Sequence, residues 1–190
     1  MSDDLLARVR ACRLCEAQLP EPPRPILQFD RRARLLIAGQ APGLRAHQAG
    51  QPFLDASGER LRTWLGLDQT QFYDPTQVAI IPMGFCYPGR AKSGDAPPRP
   101  ECALAWRQAL LEQLTSLQLT LIIGRHALNW HWPDATDLTS AVRAGLNNNR
   151  QALPHPSPRN NVWLKRHPWF ETDILPPLQQ AVSHAIGEQR

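Results

Sequence analysis

Three continuous apolar runs stand out from a chain otherwise rich in Pro, Gly and Arg. "RLLIAG" (34–39), "QVAIIPMGF" (77–85) and "LTLIIG" (119–124) have the length and closure of strands buried on both faces. Residues 151–154 form a fourth, shorter strand. Helical spacing separates these runs. "SGERLRTWLG" (57–66) places Leu61, Trp64 and Leu65 on one face, with Ser57 as a candidate cap. Further helices are expected over 101–117, over "RHALNWHW" (125–132), and from Phe170 to Ile186, the last broken or bent at Pro176-Pro177. A charged helix over 2–11 and a proline-rich connector, "LPEPPRPILQFD", open the chain. Residues 87–100 read as a loop, and 134–150 carry only a weak pattern. Strands alternating with helices predict an α/β class: a three-layer α/β/α sandwich around a central, mainly parallel four-stranded sheet, in a single domain over 1–190. Ligands of such sheets bind beyond the carboxyl ends of the strands. Those ends carry "GQAPG", "MGFC", "GRHA" and "HPSPRN".

Composition narrows the class. Basic residues outnumber acidic ones 21 to 17, a net charge of +4, compatible with a polyanionic partner but not diagnostic of one. Two of the 21 are lysine (Lys92 and Lys165), which leaves 19 arginines. Arginine suits bidentate phosphate contacts, and a GC-rich genome gives the same bias. No apolar run approaches the roughly 20 residues of a membrane span, and the charged N-terminus does not read as a secretory signal. A cytoplasmic protein acting as a monomer, with no membrane partner, is expected.

In that compartment structural disulfides are not expected, so the four cysteines need another account. Cys12 and Cys15 form a C-x2-C pair; 70 residues separate it from Cys86, and 15 more precede Cys102. Four thiolates suit tetrahedral zinc or an iron–sulfur cluster. The wide gap between Cys86 and Cys102 is less typical of zinc knuckles. Four unrelated buried cysteines, packing as small apolar groups, are the third account. A metal here would be structural, tying the N-terminal helix to the loop after the second strand.

The chemistry-bearing residues fall into two motifs. Gly39-Gln40-Ala41-Pro42-Gly43 ends the first strand, with "QPFLDASGERL" close behind, and His155-Pro156-Ser157-Pro158-Arg159-Asn160 ends the last. Together with the cysteine layout, this order resembles the uracil-DNA glycosylase superfamily. The cysteines are similar to those of its iron–sulfur families, the fourth and fifth, and "HPSPRN" to the second motif of the single-strand-selective family. The resemblance covers residues 10 to 180. It implies a monofunctional DNA-repair glycosylase acting on DNA that contains a deaminated base, with a [4Fe–4S] cluster on Cys12, Cys15, Cys86 and Cys102, zinc being the alternative.

Such an enzyme flips its target nucleotide into a pocket and breaks the sugar–base bond through an oxocarbenium-like state. It must stabilise the leaving base and place water or negative charge beside the sugar. The resemblance assigns His155 to the first task, as a donor to the carbonyl oxygen where charge develops. Ala41, Phe53, Met83 and Gly84 would line the base pocket, with Phe53 stacking on the base. Gly43, Pro156, Ser157, Pro158, Arg159 and Asn160, with the loop from Arg90 to Arg99, would hold the DNA.

For the second task the motif departs from commoner patterns, because Gln40 and Ala41 stand where family members carry an acid. Gln40 can orient water or bond the base edge but cannot take a proton. Asp55, in "LDASG", matches the aspartate of the fifth family and is the expected water activator; a helix cap is its other reading. His47 is a weaker candidate. Pro82 falls where uracil-specific members carry asparagine, so strict uracil specificity is not expected. The rival reading is a catalytically weak nucleic-acid-binding protein of the same fold.

Overall fold

The computed structural model describes residues 2–187, with side chains from residue 4 onward. Met1 and residues 188–190 of the expected domain lie outside the described residues. The apolar runs form strands β1 (Leu35–Ala38) and β2 (Val78–Ile80). The two-residue strands β3 (Arg90–Ala91) and β4 (Gly94–Asp95) follow, then β5 (Leu119–Ile123) and β6 (Arg150–Leu153). β2, β1, β5 and β6, in that order, make one sheet. Every pairing in it is parallel: Leu35 lies opposite Val78 and Leu119, and Thr120 opposite Arg150. β3 and β4 form a separate antiparallel hairpin.

Ten α-helices are described: α1 (Ser2–Arg10), α2 (Leu44–Ala49), α3 (Ala56–Leu65), α4 (Gln69–Phe72), α5 (Pro100–Cys102), α6 (Gln108–Glu112), α7 (Gly124–His131), α8 (Leu138–Arg143), α9 (Asn161–Arg166) and α10 (Leu175–Ile186). Alternation along the strands sorts the layers. Leu35, Ile37, Val78 and Ile80 pack with Leu61, Trp64 and Leu65 of α3 and Leu178 and Val182 of α10. Leu36, Ala79 and Ile81 point the other way, onto Val9 of α1 and Leu110 of α6. The expected α/β/α sandwich is thus present, and its central sheet is wholly parallel. Among the described residues no helix is long and apolar enough to cross a membrane.

Several local expectations are corrected. The cap of α3 is Asp55, whose carboxylate accepts the Gly58 N–H, not Ser57. The helix expected over 101–117 is α5 and α6 joined by a widened π turn, Ala103–Arg107, and it stops at Glu112. The weak region 134–150 contains α8, capped by Asp137. Pro176 and Pro177 do not break the last helix: they occupy the first turn of α10, where a missing N–H costs nothing, and a π turn over Phe170–Ile174 precedes them.

Candidate active site

Beyond the carboxyl ends of β1 and β6 lies a cleft of about 530 Å³. It is lined by Gly39, Gln40, Ala41, Pro42 and Gly43 from the first motif, by Phe53, Asp55 and Ser57, and by His155, Ser157, Pro158, Arg159 and Asn160 from the second. Ten of the thirteen expected catalytic, base- and DNA-binding residues therefore meet in one cavity. Met83, Gly84 and Pro156 do not line it. Met83 is buried in the core, Pro156 is buried behind the loop, and Gly84 lines a second cavity. Met83 and Gly84 still serve the cleft, because their N–H groups donate to the carbonyls of Gly39 and Gln40, both at 2.9 Å. Pro82 lines the cleft, as do Ser93 and Asp95 of the β3–β4 hairpin. Ser93 and Asp95 had no sequence signal beyond their place in a polar loop.

The 52–58 segment is a tightly constrained turn. Phe53 has φ of 55°, a left-handed conformation that costs a non-glycine residue about 1–3 kcal/mol unless neighbours enforce it. The Tyr73 hydroxyl enforces it, sitting 3.0 Å from the Pro52 carbonyl and 3.1 Å from that of Phe53. Gly58 is required by the same turn: a Cβ there would lie 1.7 Å from the Phe53 carbonyl oxygen. The Phe53 ring consequently packs between Gly39 and the edge of Phe72. Asp55 follows at the N-terminus of α3, its Oδ1 accepting the Gly58 N–H at 3.0 Å.

His155 is oriented by its own loop. Its Nδ1 accepts the Ser157 N–H at 3.2 Å, so in the neutral ring Nε2 carries the hydrogen. Burial holds the ring's pKa below its usual value; Asp55 and Asp95 pull it up, Arg159 pushes it down, and burial dominates. A neutral Nε2–H donor results. The Asn160 amide donates to the His155 carbonyl at 2.7 Å. Arg60 of α3 reaches the Ser157 carbonyl at 3.3 Å and the Asn161 side chain at 2.9 Å. α3 thus braces a loop whose backbone Pro156 and Pro158 already restrict.

The sequence model of the uracil DNA glycosylase superfamily matches residues 27–179. The chain belongs to that superfamily. It is also similar to a candidate uracil DNA glycosylase from Methanosarcina acetivorans, known from a solution NMR structure, at 16% identity over 83% of this chain and 97% of that one, with a TM-score of 0.47.

In this superfamily member the four cysteines meet. Cys12, Cys15, Cys86 and Cys102 line one small cavity with Gly84, Phe85 and Arg99. The Trp106 indole N–H donates to Cys12 Sγ at 3.2 Å. Burial, with added repulsion from neighbouring thiols, pushes Cys86 up to about 11 and Cys102 up to about 12; burial and Glu101 raise Cys15. Such thiols stay protonated at neutral pH unless a cation takes the proton's place. Among the described residues no three His, Cys, Asp or Glu side chains are placed to hold one metal ion; by its chemistry the all-thiol donor set suits tetrahedral zinc and a [4Fe–4S] cluster alike.

The cleft wall at Pro82 is braced from behind by a fully buried arginine. Arg107, in the π turn, donates from Nη1 to the carbonyls of Ile81 (2.8 Å) and Pro82 (2.9 Å), and from Nη2 to Nε2 of His131. Burial lowers Arg107 to about 10, so it remains charged at neutral pH. Burial first, then Arg107 and Arg150, lower His131 from 6.5 to about 3. The folded protein therefore keeps His131 neutral while the unfolded chain takes up a proton near pH 6.5. Stability from this group is complete above 6.5 and falls as pH drops from there toward 3. His131→Gln, which retains an acceptor for Arg107, is expected to flatten the decline of the denaturant midpoint between pH 6.5 and 4.5; an unchanged slope would exclude His131 as its source.

Proposed function

We propose that the chain is a monofunctional DNA glycosylase that hydrolyses the N-glycosidic bond of uracil or a related deaminated base in DNA. The observation that carries this reading is His155, neutral and with its hydrogen on Nε2, in a cleft lined by both motifs. A neutral donor is matched to a base that departs with negative charge on a carbonyl oxygen, and it needs no prior proton uptake. Phe53 stacks on the flipped base. Ser157 and Arg159 grip phosphate on the flanking backbone. The carboxylates of the cleft offset positive charge on the sugar.

Base selection follows from the wall opposite. Pro82 offers no side-chain amide, and its carbonyl is held by Arg107, so this wall supplies no asparagine-like donor–acceptor pair for the uracil edge. A range of deaminated bases, rather than uracil alone, is the substrate class favoured.

Two observations favour the rival reading of a weakly catalytic DNA-binding protein: Asp55 has one oxygen committed to capping α3, and Gln40 donates its amide to the Ala96 carbonyl. Oligonucleotides bearing uracil, hypoxanthine or xanthine separate the two readings. Wild type is expected to leave abasic product on at least one, and His155→Ala to slow that reaction by about 100- to 1,000-fold. Unchanged rates in His155→Ala would contradict the assigned role, and binding without any product would establish the rival.

The same reading places a [4Fe–4S] cluster on Cys12, Cys15, Cys86 and Cys102. Bound there, the cluster is a structural cross-link between the end of α1, the loop after β2, and α5. Protein purified without oxygen is expected to be brown, to absorb near 400 nm, and to carry about four irons and four sulfides, all lost in Cys102→Ala. Colourless protein with one zinc per chain would overturn the cluster.

A further inference from the structure

Catalysis needs a proton acceptor for the attacking water, and the residue expected to provide it, Asp55, is already anchoring a helix through Oδ1. A second carboxylate faces the same cleft. Asp95 ends the β3–β4 hairpin and lines the cavity with His155 and Asp55. The hairpin is fastened to both motifs. Gln40 of the first donates to the Ala96 carbonyl at 3.2 Å, and the Arg159 guanidinium of the second lies against Gly94 so closely that a Cβ there would collide with it. Asp95 Oδ2 meets the first motif directly, 3.4 Å from the position a Cβ on Gly43 would take. Among the described residues the Asp95 carboxylate makes no hydrogen bond or ion pair, so both its oxygens are available.

We propose that Asp95 is the catalytic base, a role that rests on the glycosylase reading above. The oxygen of a water bonds to C1′ of the flipped nucleotide. The C1′–N bond breaks, and its electron pair leaves with the base, whose carbonyl oxygen accepts from His155 Nε2–H. The water's proton passes to the Asp95 carboxylate. The products are an abasic sugar carrying a C1′ hydroxyl and a base anion that is reprotonated by solvent. Asp55 keeps α3 in place and adds negative charge beside the sugar.

Charged and titratable groups face Asp95 from three directions: Asp55 at the start of α3, His155 and Arg159 in the second motif, and Arg90, its cross-strand partner in the hairpin. The test compares wild type, Asp95→Asn and Asp55→Asn. It measures single-turnover abasic product from pH 4.5 to 8 on whichever base the wild type removes, with affinity for the same oligonucleotide and the thermal midpoint in parallel. Asparagine still caps a helix, so Asp55→Asn leaves α3 intact and reports its charge alone. Asp95→Asn is expected to lose at least about 100-fold in rate. Its affinity and midpoint should hold, and the acid limb of the wild-type pH profile should disappear.

A rate within about threefold of wild type, a loss of rate matched by a loss of binding, or an acid limb that survives in Asp95→Asn and vanishes in Asp55→Asn would each overturn the assignment to Asp95 and leave the glycosylase reading standing. Absence of product from every base with the wild-type protein would remove both.

Discussion

Two backbone hydrogen bonds just past the sheet hold the site together. Where β1 and β2 end, Met83 and Gly84 continue the ladder by donating to the carbonyls of Gly39 and Gln40. Those bonds fix the first motif as an extension of a parallel sheet buried on both faces. The same short segment faces two ways. Pro82 belongs to the cleft, and its carbonyl is braced by Arg107. Gly84 belongs to the cysteine cavity, two residues before Cys86. Arg24 adds a second connection: its backbone engages the Cys86 thiol, while its guanidinium holds the carbonyls of His47 and Gln48 at the end of α2. The cross-link proposed at the cysteines would therefore bear on the first motif through Gly84 and on the helix that follows it through Arg24.

The central elements were legible in the sequence because their signal is local. A strand buried on both faces must be apolar nearly throughout: Leu35 to Ala38 are apolar at every position, and Leu119 to Ile123 at every position but the half-buried Thr120. The two motifs were legible for a related reason: a parallel sheet delivers its strand ends to one edge, so "GQAPG" and "HPSPRN" had to meet if both followed strands. Elements stabilised mainly by distant contacts escaped. α9 presents no buried face of its own, and β3 and β4, at two residues each, are too short to show a period. Arg107 lies on a helix where an arginine is ordinarily solvated, and nothing before the fold itself indicates that the π turn will bury it against strand-end carbonyls. Asp95 is invisible for the same reason, since its position depends on Gln40 and Arg159 gripping the hairpin.

Electrostatics in the cleft balance burial against charge. His155 lies within the influence of two carboxylates that favour its protonated form, and Arg159 and burial oppose them. Burial prevails, leaving an imidazole that can donate a hydrogen bond without carrying a charge. Were the ring exposed, Asp55 and Asp95 would stabilise an imidazolium and be neutralised by it. Keeping the histidine neutral leaves the carboxylates without a charged partner in the ring, free for the part the proposed function gives them beside the sugar. On the proposed function, the cleft would divide its labour by environment: a desolvated donor for the base, and more exposed acids for the sugar and water.

The most direct test of this account is the protonation state of one ring. Nitrogen-15 NMR of histidine-labelled protein, with His155 assigned by comparison with His155→Gln, reads both ring nitrogens as a function of pH. The account predicts a neutral His155 at pH 7, with Nδ1 bare and Nε2 protonated, and a titration midpoint below its usual 6.5. An imidazolium at pH 7, or a neutral ring with its hydrogen on Nδ1, would contradict it.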